Sequence, residues 1–253
     1  MLSLLLMSVV LHQAPKPAPA RAPAVAEAPA PVPTPVATKA MNDRDAKTAV
    51  AEFQKALKAA SSMAEKNRAL DVLAEGCNKL LVKPLGQVAD TDKLIVIRKR
   101  AVELLAQQPP VDAHPEIMRL LQSKGTQSQP AVLAALVSAL LRCGYQPTDW
   151  TVLGKLFGQD YAAERVAMQE AILEIALQQK EKLATGLLID NLDEPAPQDS
   201  EGAANPPKEY WEARWKAWKA WRGRVKDALF AITGQRFSHS TEARAWLGKN
   251  PVK

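Results

Sequence analysis

Few residues in this chain have types and spacings suited to chemistry. His12, His114 and His239 are its three histidines, and none has a partner at metal-ligand spacing. His12 falls in an N-terminal leader, while His114 (just before Pro115) and His239 are expected to be polar surface residues. Cys77 and Cys143 belong to no CxxC or Cys/His pattern, so no zinc site is expected. Both are read as small buried residues, with pairing or reactivity as the competing role. A disulfide needs Cα atoms within about 7 Å, whereas two helix layers of about 8–10 Å each would separate these two. Asp190 and Asp193 stand at i, i+3 and are expected to be ordinary solvated acids. GxSxG, Walker and GxGxxG patterns are absent. The expectation is no catalytic residue, no cofactor, no metal and no small-molecule substrate.

A second constellation is denser. Trp211, Trp215, Trp218 and Trp221 lie within eleven residues, interleaved with Arg214, Lys216, Lys219 and Arg222. At about 100° per residue the tryptophans fall on one stripe with Val225, Leu229 and Ile232. Arg214 and Arg222 interrupt the stripe, while Lys216, Lys219 and Lys226 flank it. Three roles compete. The rings can pack on a preceding helix while the arginines stack on them; burial would then stabilise by about 2–3 kcal/mol per indole. The helix can lie on an anionic membrane. Part of the stripe can bind a protein, since Trp and Arg are typical anchors.

The elements that must position these residues are helical. Hydrophobic residues are 47% of the 253, aromatics only 5%, and Ala and Leu dominate. Ala46, Ala49, Val50, Phe53 and Leu57 form one helical stripe after Asn42, and Ser62 with Glu65 makes a capping box. Four later segments share one small pattern, starting at Leu70, Val102, Ser138 and Leu173. Their spacing of about 35 residues is that of paired-helix repeats. Ser62, Asp92, Ser128 and Asp160 are upstream start signals, and breaks are expected at Pro109-Pro110, Gly125, Pro147 and Gly158. After each break a second helix is expected, the last carrying Leu183, Leu187, Leu188 and Leu192. The fold expected for residues 42–193 is therefore an all-α, right-handed α-solenoid of about four antiparallel helix pairs, with residues 42–60 as an N-terminal cap. Residues 194–207 are expected to be a flexible loop. Pro206-Pro207 then opens a long Trp-rich capping helix that Gly234 ends, within a basic closing segment, 208–253.

The run Asp92 to Gln107, with Asp92 in the turn, then Arg98 and an Ala-x-x-Leu-Leu core, resembles the HEAT-repeat superfamily. The unit from Asp160, with Arg165 and Ala171, is similar; the unit from Ser128 departs, having Leu133 and Ala134 where a basic residue is expected. The tail, with Ile232-Thr233-Gly234-Gln235, Phe237 and Trp246, resembles a closing element of secreted bacterial HEAT-repeat proteins. There Ser240 or Thr241 would cap a last short helix, and Phe237 and Trp246 would seal the final apolar face. The resemblance implies a fold rather than an activity. Among its enzymatic precedents are bilin lyases and DNA glycosylases, and Asp149 beside Trp150 superficially suits the latter. Adjacent helical residues point about 100° apart, however.

Charge argues the same way. Residues 207–253 carry eleven Lys or Arg against four Asp or Glu, and residues 1–41 three against one. The total is +6, so the repeats between are net acidic, which disfavours nucleic acid along the solenoid. Met1 to Leu11 is too short to span a bilayer but suits a secretory signal ending near residue 26, after Ala24-Val25-Ala26, although no basic residue precedes it. Residues 27–41 continue a Pro/Ala-rich, disordered spacer. The alternative is a cytoplasmic chain with a disordered tail. The function expected is a non-enzymatic protein-interaction scaffold of the bacterial cell envelope, exported to the periplasm or beyond. The partner-binding residues would be Trp211, Arg214, Trp215, Lys216, Trp218, Lys219, Trp221 and Arg222. The alternative is a peripheral module that binds anionic membrane or nucleic acid through the same helix.

Overall fold

The computed structural model describes residues 39–196 and 205–251. The expected signal and most of the spacer, together with the middle of the 194–207 loop, lie outside the described residues. Within them the fold is all-helical, and the single β feature is one parallel bridge between Ala40 and Cys77. The helices are α1 (Asp43–Ala59), α2 (Met63–Ala74), α3 (Lys79–Thr91), α4 (Ile95–Leu105), α5 (Pro110–Leu121), the one-turn α6 (Lys124–Gln127), α7 (Pro130–Cys143), α8 (Trp150–Gly158), α9 (Val166–Gln178), α10 (Thr185–Asp190), α11 (Lys208–Thr233) and α12 (Ser240–Lys249).

Local chemistry sets the starts and stops. The Asn42 side chain accepts from Asp45 N–H to begin α1. The capping box is present at α2: Glu65 N–H donates to Ser62, and Glu65 accepts from the backbone N–H groups of Ser61 and Ser62. Those two N–H groups hold the Glu65 carboxyl down at about 2. The strongly apolar α7 stops at Gly144, whose φ of +94° suits glycine. Gly234 ends α11 in the same way at φ +71°.

The four patterned segments lie on α2, α4, α7 and α9, and these helices contact one another in sequence, with α11 continuing the series against α9. On the other side α1, α3 and α5 contact in turn. Each patterned helix packs more on the helix before it in the other series than on the helix that follows it: α2 on α1, α4 on α3, α7 on α5 and α9 on α8. The pairing expected from the sequence, patterned helix with the helix after it, is therefore displaced by one helix. The first helix, α1, buries one face, Ala46, Ala49 and Phe53, in the common core. Leu183, expected in the last apolar helix, is 62% exposed; it sits in a short 3-10 turn before α10.

The spacer ends earlier than expected. Lys39 O accepts from Cys77 N–H, and Met41 N–H donates to Cys77 O. A Cβ on Gly76 would come within 2.8 Å of the Met41 side chain, so this close approach requires glycine. Cys77 is thus half-buried, against the expectation of a fully buried residue; both thiols are free. Burial pushes the Cys143 thiol up to about 11. Native protein at pH 8 is expected to give at most one iodoacetamide adduct, at Cys77, and two after unfolding. Peptide mass spectrometry reads the result directly.

Candidate interaction surface

α11 divides cleanly. Ala217, Trp218, Trp221, Val225, Ala228 and Leu229 form its buried face. Trp221 is fully buried, with its ring 5.2 Å from that of Phe157, and its Nε1 donates to Gln169 Oε1 at 3.2 Å. Trp218 Nε1 donates to Asn191 O at 3.1 Å. These two indoles belong to the packing, not to a surface. Arg224 reaches Glu174 at 2.9 Å and Glu170 at 3.6 Å, fastening α11 along α9. Trp211 and Arg214 are half-buried beside Tyr161 and Tyr210: the guanidinium stands 5.3 Å from the Tyr161 ring centre and 5.6 Å from that of Trp211.

The opposite face is open and basic. Trp215 is 37% exposed, with Lys219 Nζ 4.6 Å above its ring, and its Nε1 donates to Glu194. Arg222 lies 5.1 Å over the Trp218 ring. Phe230 is exposed beneath Arg236 at 4.6 Å. Lys216, Lys219, Arg222 and Lys226 are all exposed and form no ion pair among the described residues. Of the eight residues expected to bind, Trp215, Lys216, Lys219 and Arg222 therefore share one exposed face; Trp211 and Arg214 sit at its edge, and Trp218 and Trp221 lie beneath it.

Other expected sites fall elsewhere. His114 is not on the surface: its side chain is 14% exposed and its Nε2 is 2.9 Å from Asp149 Oδ2. Asp149 also accepts from Gln146 N–H at 2.8 Å, and Trp150 beside it is buried in the core. His239 is exposed, 3.5 Å from Asp193. No cluster of three His, Cys, Asp or Glu side chains able to hold a metal occurs among the described residues.

Asp190 and Asp193 are more than solvated acids, for they dock α12. Asp190 pairs with Arg244 at 2.6 Å. Asp193 accepts the Ser240 hydroxyl at 2.5 Å and its N–H at 3.1 Å. The cap of α12 therefore comes from Asp193, not from Ser240 or Thr241 themselves. Phe237 is buried and Trp246 half-buried, with ring centres 5.6 Å apart. Burial pushes the Asp193 carboxyl up, but the Ser240 donors and His239 outweigh that, and the net direction is downward. An acid whose folded value is depressed stabilises above its ordinary pKa, and that contribution is lost as pH falls through the folded value. Asp193→Asn is expected to speed amide exchange in residues 240–249 several-fold at pH 7, and wild type to converge on the variant as pH falls through and below the ordinary aspartate range. Equal exchange in the two chains at pH 7 would show that Asp193 does not hold α12.

Sequence reasoning missed a set of contacts between successive turns. Asn78 donates to Asp43 at 3.0 Å and accepts from Leu80 N–H at 2.8 Å. Tyr145 donates to Glu181 at 2.5 Å, and His114 pairs with Asp149. The partners are 35, 36 and 35 residues apart. That separation equals the spacing of the patterned segments, and it was the available signal. No family model, curated protein or solved structure matches the chain.

Proposed function

We propose that residues 42–193 are a right-handed α-solenoid of about four HEAT-like helix pairs, closed by α11, and that the protein is a non-enzymatic scaffold of the cell envelope. The series of contacts α2–α4–α7–α9–α11 and the turn contacts one period apart support the repeat reading. The observation that carries the function is the outer face of α11. Two exposed aromatic rings lie under cations there, and four basic side chains lack acidic partners among the described residues. Such a face fits an acidic protein segment carrying apolar anchors: rings supply contact area, and unpaired cations supply steering and register.

Site-specific cross-linking tests this. A photoreactive residue at Lys216 is expected to capture one defined envelope protein, and Lys219→Glu with Arg222→Glu should abolish the adduct. The same residue at Thr151, exposed on α8, should capture nothing comparable. Equal capture from both positions would sink the proposal. Retention of the wild-type chain on heparin, lost in the same variant without any protein adduct, would favour nucleic acid instead.

A further inference from the structure

The starts of α2 and α4 carry a second unpartnered surface. Leu94, Ile95 and Val96 are consecutive, and they are 38%, 42% and 58% exposed. Met63, the first residue of α2, is 50% exposed. The two helix starts are joined, because Lys66 in the first turn of α2 pairs at 2.6 Å with Asp92, just before α4. Asp92 also accepts from Leu94 N–H at 2.8 Å and so fixes how the chain enters the helix. Four large aliphatic side chains thus lie at one joint tip, where a soluble surface ordinarily breaks up such a run.

Geometry separates the occupants. Leu94 is the N-cap of α4, and Ile95 and Val96 are its first two helical residues. Successive helical residues turn by about 100°, so the three do not share a face. A groove in a protein contacts one face of a helix, whereas a fluid apolar layer wets every side of a tip. Charge points to the same medium. Lys93 and Lys99 flank the run, exposed and without an ion pair among the described residues. Of the nearby charges, Lys66 is neutralised by Asp92 and Arg100 faces Asp71 and Glu103, while Glu65, ionised and hydrogen-bonded within its own cap, sets one negative charge beside Met63 against Lys93 and Lys99. The remaining pair of lysines suits the headgroups of an anionic bilayer.

We propose that this joint tip is a membrane-insertion point: Met63, Leu94, Ile95 and Val96 enter the acyl boundary of an anionic lipid surface, with Lys93 and Lys99 at headgroup level. The site is separate from the α11 face and would hold the scaffold against a membrane while that face takes a protein.

The test uses the full chain with vesicles of phosphatidylcholine and phosphatidylglycerol at seven to three. Co-sedimentation of the triple variant Leu94→Ser, Ile95→Ser, Val96→Ser is expected to give a partition coefficient about tenfold below wild type. Because the apolar leader can itself bind lipid, a local readout accompanies it. Val96→Trp is expected to be quenched by brominated acyl chains in excess of the quenching of the native tryptophans. Equal partition of the triple variant and wild type, or no excess quenching at position 96, overturns the proposal. A protein adduct from a photoreactive residue at position 96 without lipid quenching would do the same.

Discussion

Trp221→Ala is expected to cost about 3–5 kcal/mol, the range for removing a large, fully buried aromatic side chain. The site leaves little room for relaxation. The indole is completely buried in the middle of the inner face of α11, and Phe157 of α8 lies against it. Its Nε1 also satisfies Gln169 Oε1, a side chain with no exposed surface. Truncation therefore leaves a cavity and a buried acceptor without its donor, and the two losses add. Trp221→Phe should recover much of the packing but not the hydrogen bond. It is expected to fall between wild type and Trp221→Ala, about 1–2 kcal/mol below the former. Trp215→Ala, which removes a part-exposed ring from the outer face, is expected to stay within about 1 kcal/mol of wild type. Urea unfolding followed by circular dichroism gives all three values. Comparable losses at 215 and 221 would contradict the division of α11 into a packing face and a free face.

That division was half legible in the sequence. Helical periodicity placed the four tryptophans on one stripe, and the stripe is where α11 meets α9 and α10. Periodicity alone could not separate Trp215 from Trp218, because a stripe has an edge, and the neighbouring helix decides where the edge falls. The basic character of the outer face was legible from composition; the stacking of Lys219 on Trp215 required both side-chain positions. The repeats behaved similarly. Pattern and period found the helices of one series, since buried Leu and Ala recur there with little interruption. The phase of pairing was not visible, because a period has no natural start and either neighbour of a patterned helix can be its partner. His114 was misjudged for a related reason: its partner, Asp149, lies one period away on the next turn, and a lone histidine beside a proline carries no local sign of that. The exposure of Leu94, Ile95 and Val96 was hidden too, since an apolar run at a helix start looks like core until the neighbouring helix is found to leave it bare.

Arg98→Met is the second large effect, expected at about 2–4 kcal/mol. Arg98 is only 5% exposed, yet it forms no ion pair within 4 Å among the described residues. Its Nε donates to Ala89 O at 2.7 Å and its Nη2 to Gly125 O at 3.0 Å. Ala89 O is one of the last carbonyls of α3, which no intrahelical N–H can reach. The guanidinium therefore ties the end of α3 to the turn holding α6. Burial pulls its pKa below the ordinary arginine value, and Asp90 and Asp92 work in the opposite direction. Methionine would fill the space but leave Ala89 O without a donor and Gly125 O with only the Ser128 hydroxyl. Lysine would keep the charge but lacks the planar fork that spans two acceptors, so Arg98→Lys should recover less than half of the loss. The equivalent positions, four residues before each patterned segment, are Lys66, Ala134 and Gln169. Lys66 bonds Asp92, and Gln169 Nε2 bonds Phe157 O and Asp160 O at 3.0 and 3.1 Å. Gln169, like Arg98, reaches back to the turn before its own helix, whereas Lys66 reaches forward to the turn before α4. At Ala134 nothing can, and buried Thr126 does the equivalent work, with its hydroxyl on Leu120 O and Ser123 O. Thr126→Val should accordingly destabilise by about 1–2 kcal/mol, whereas Ala134→Arg should not stabilise, because its carbonyls already have a donor. If Arg98→Met and Thr126→Val both unfold at the wild-type urea midpoint, capping of the turns by buried side chains is not what joins these helices.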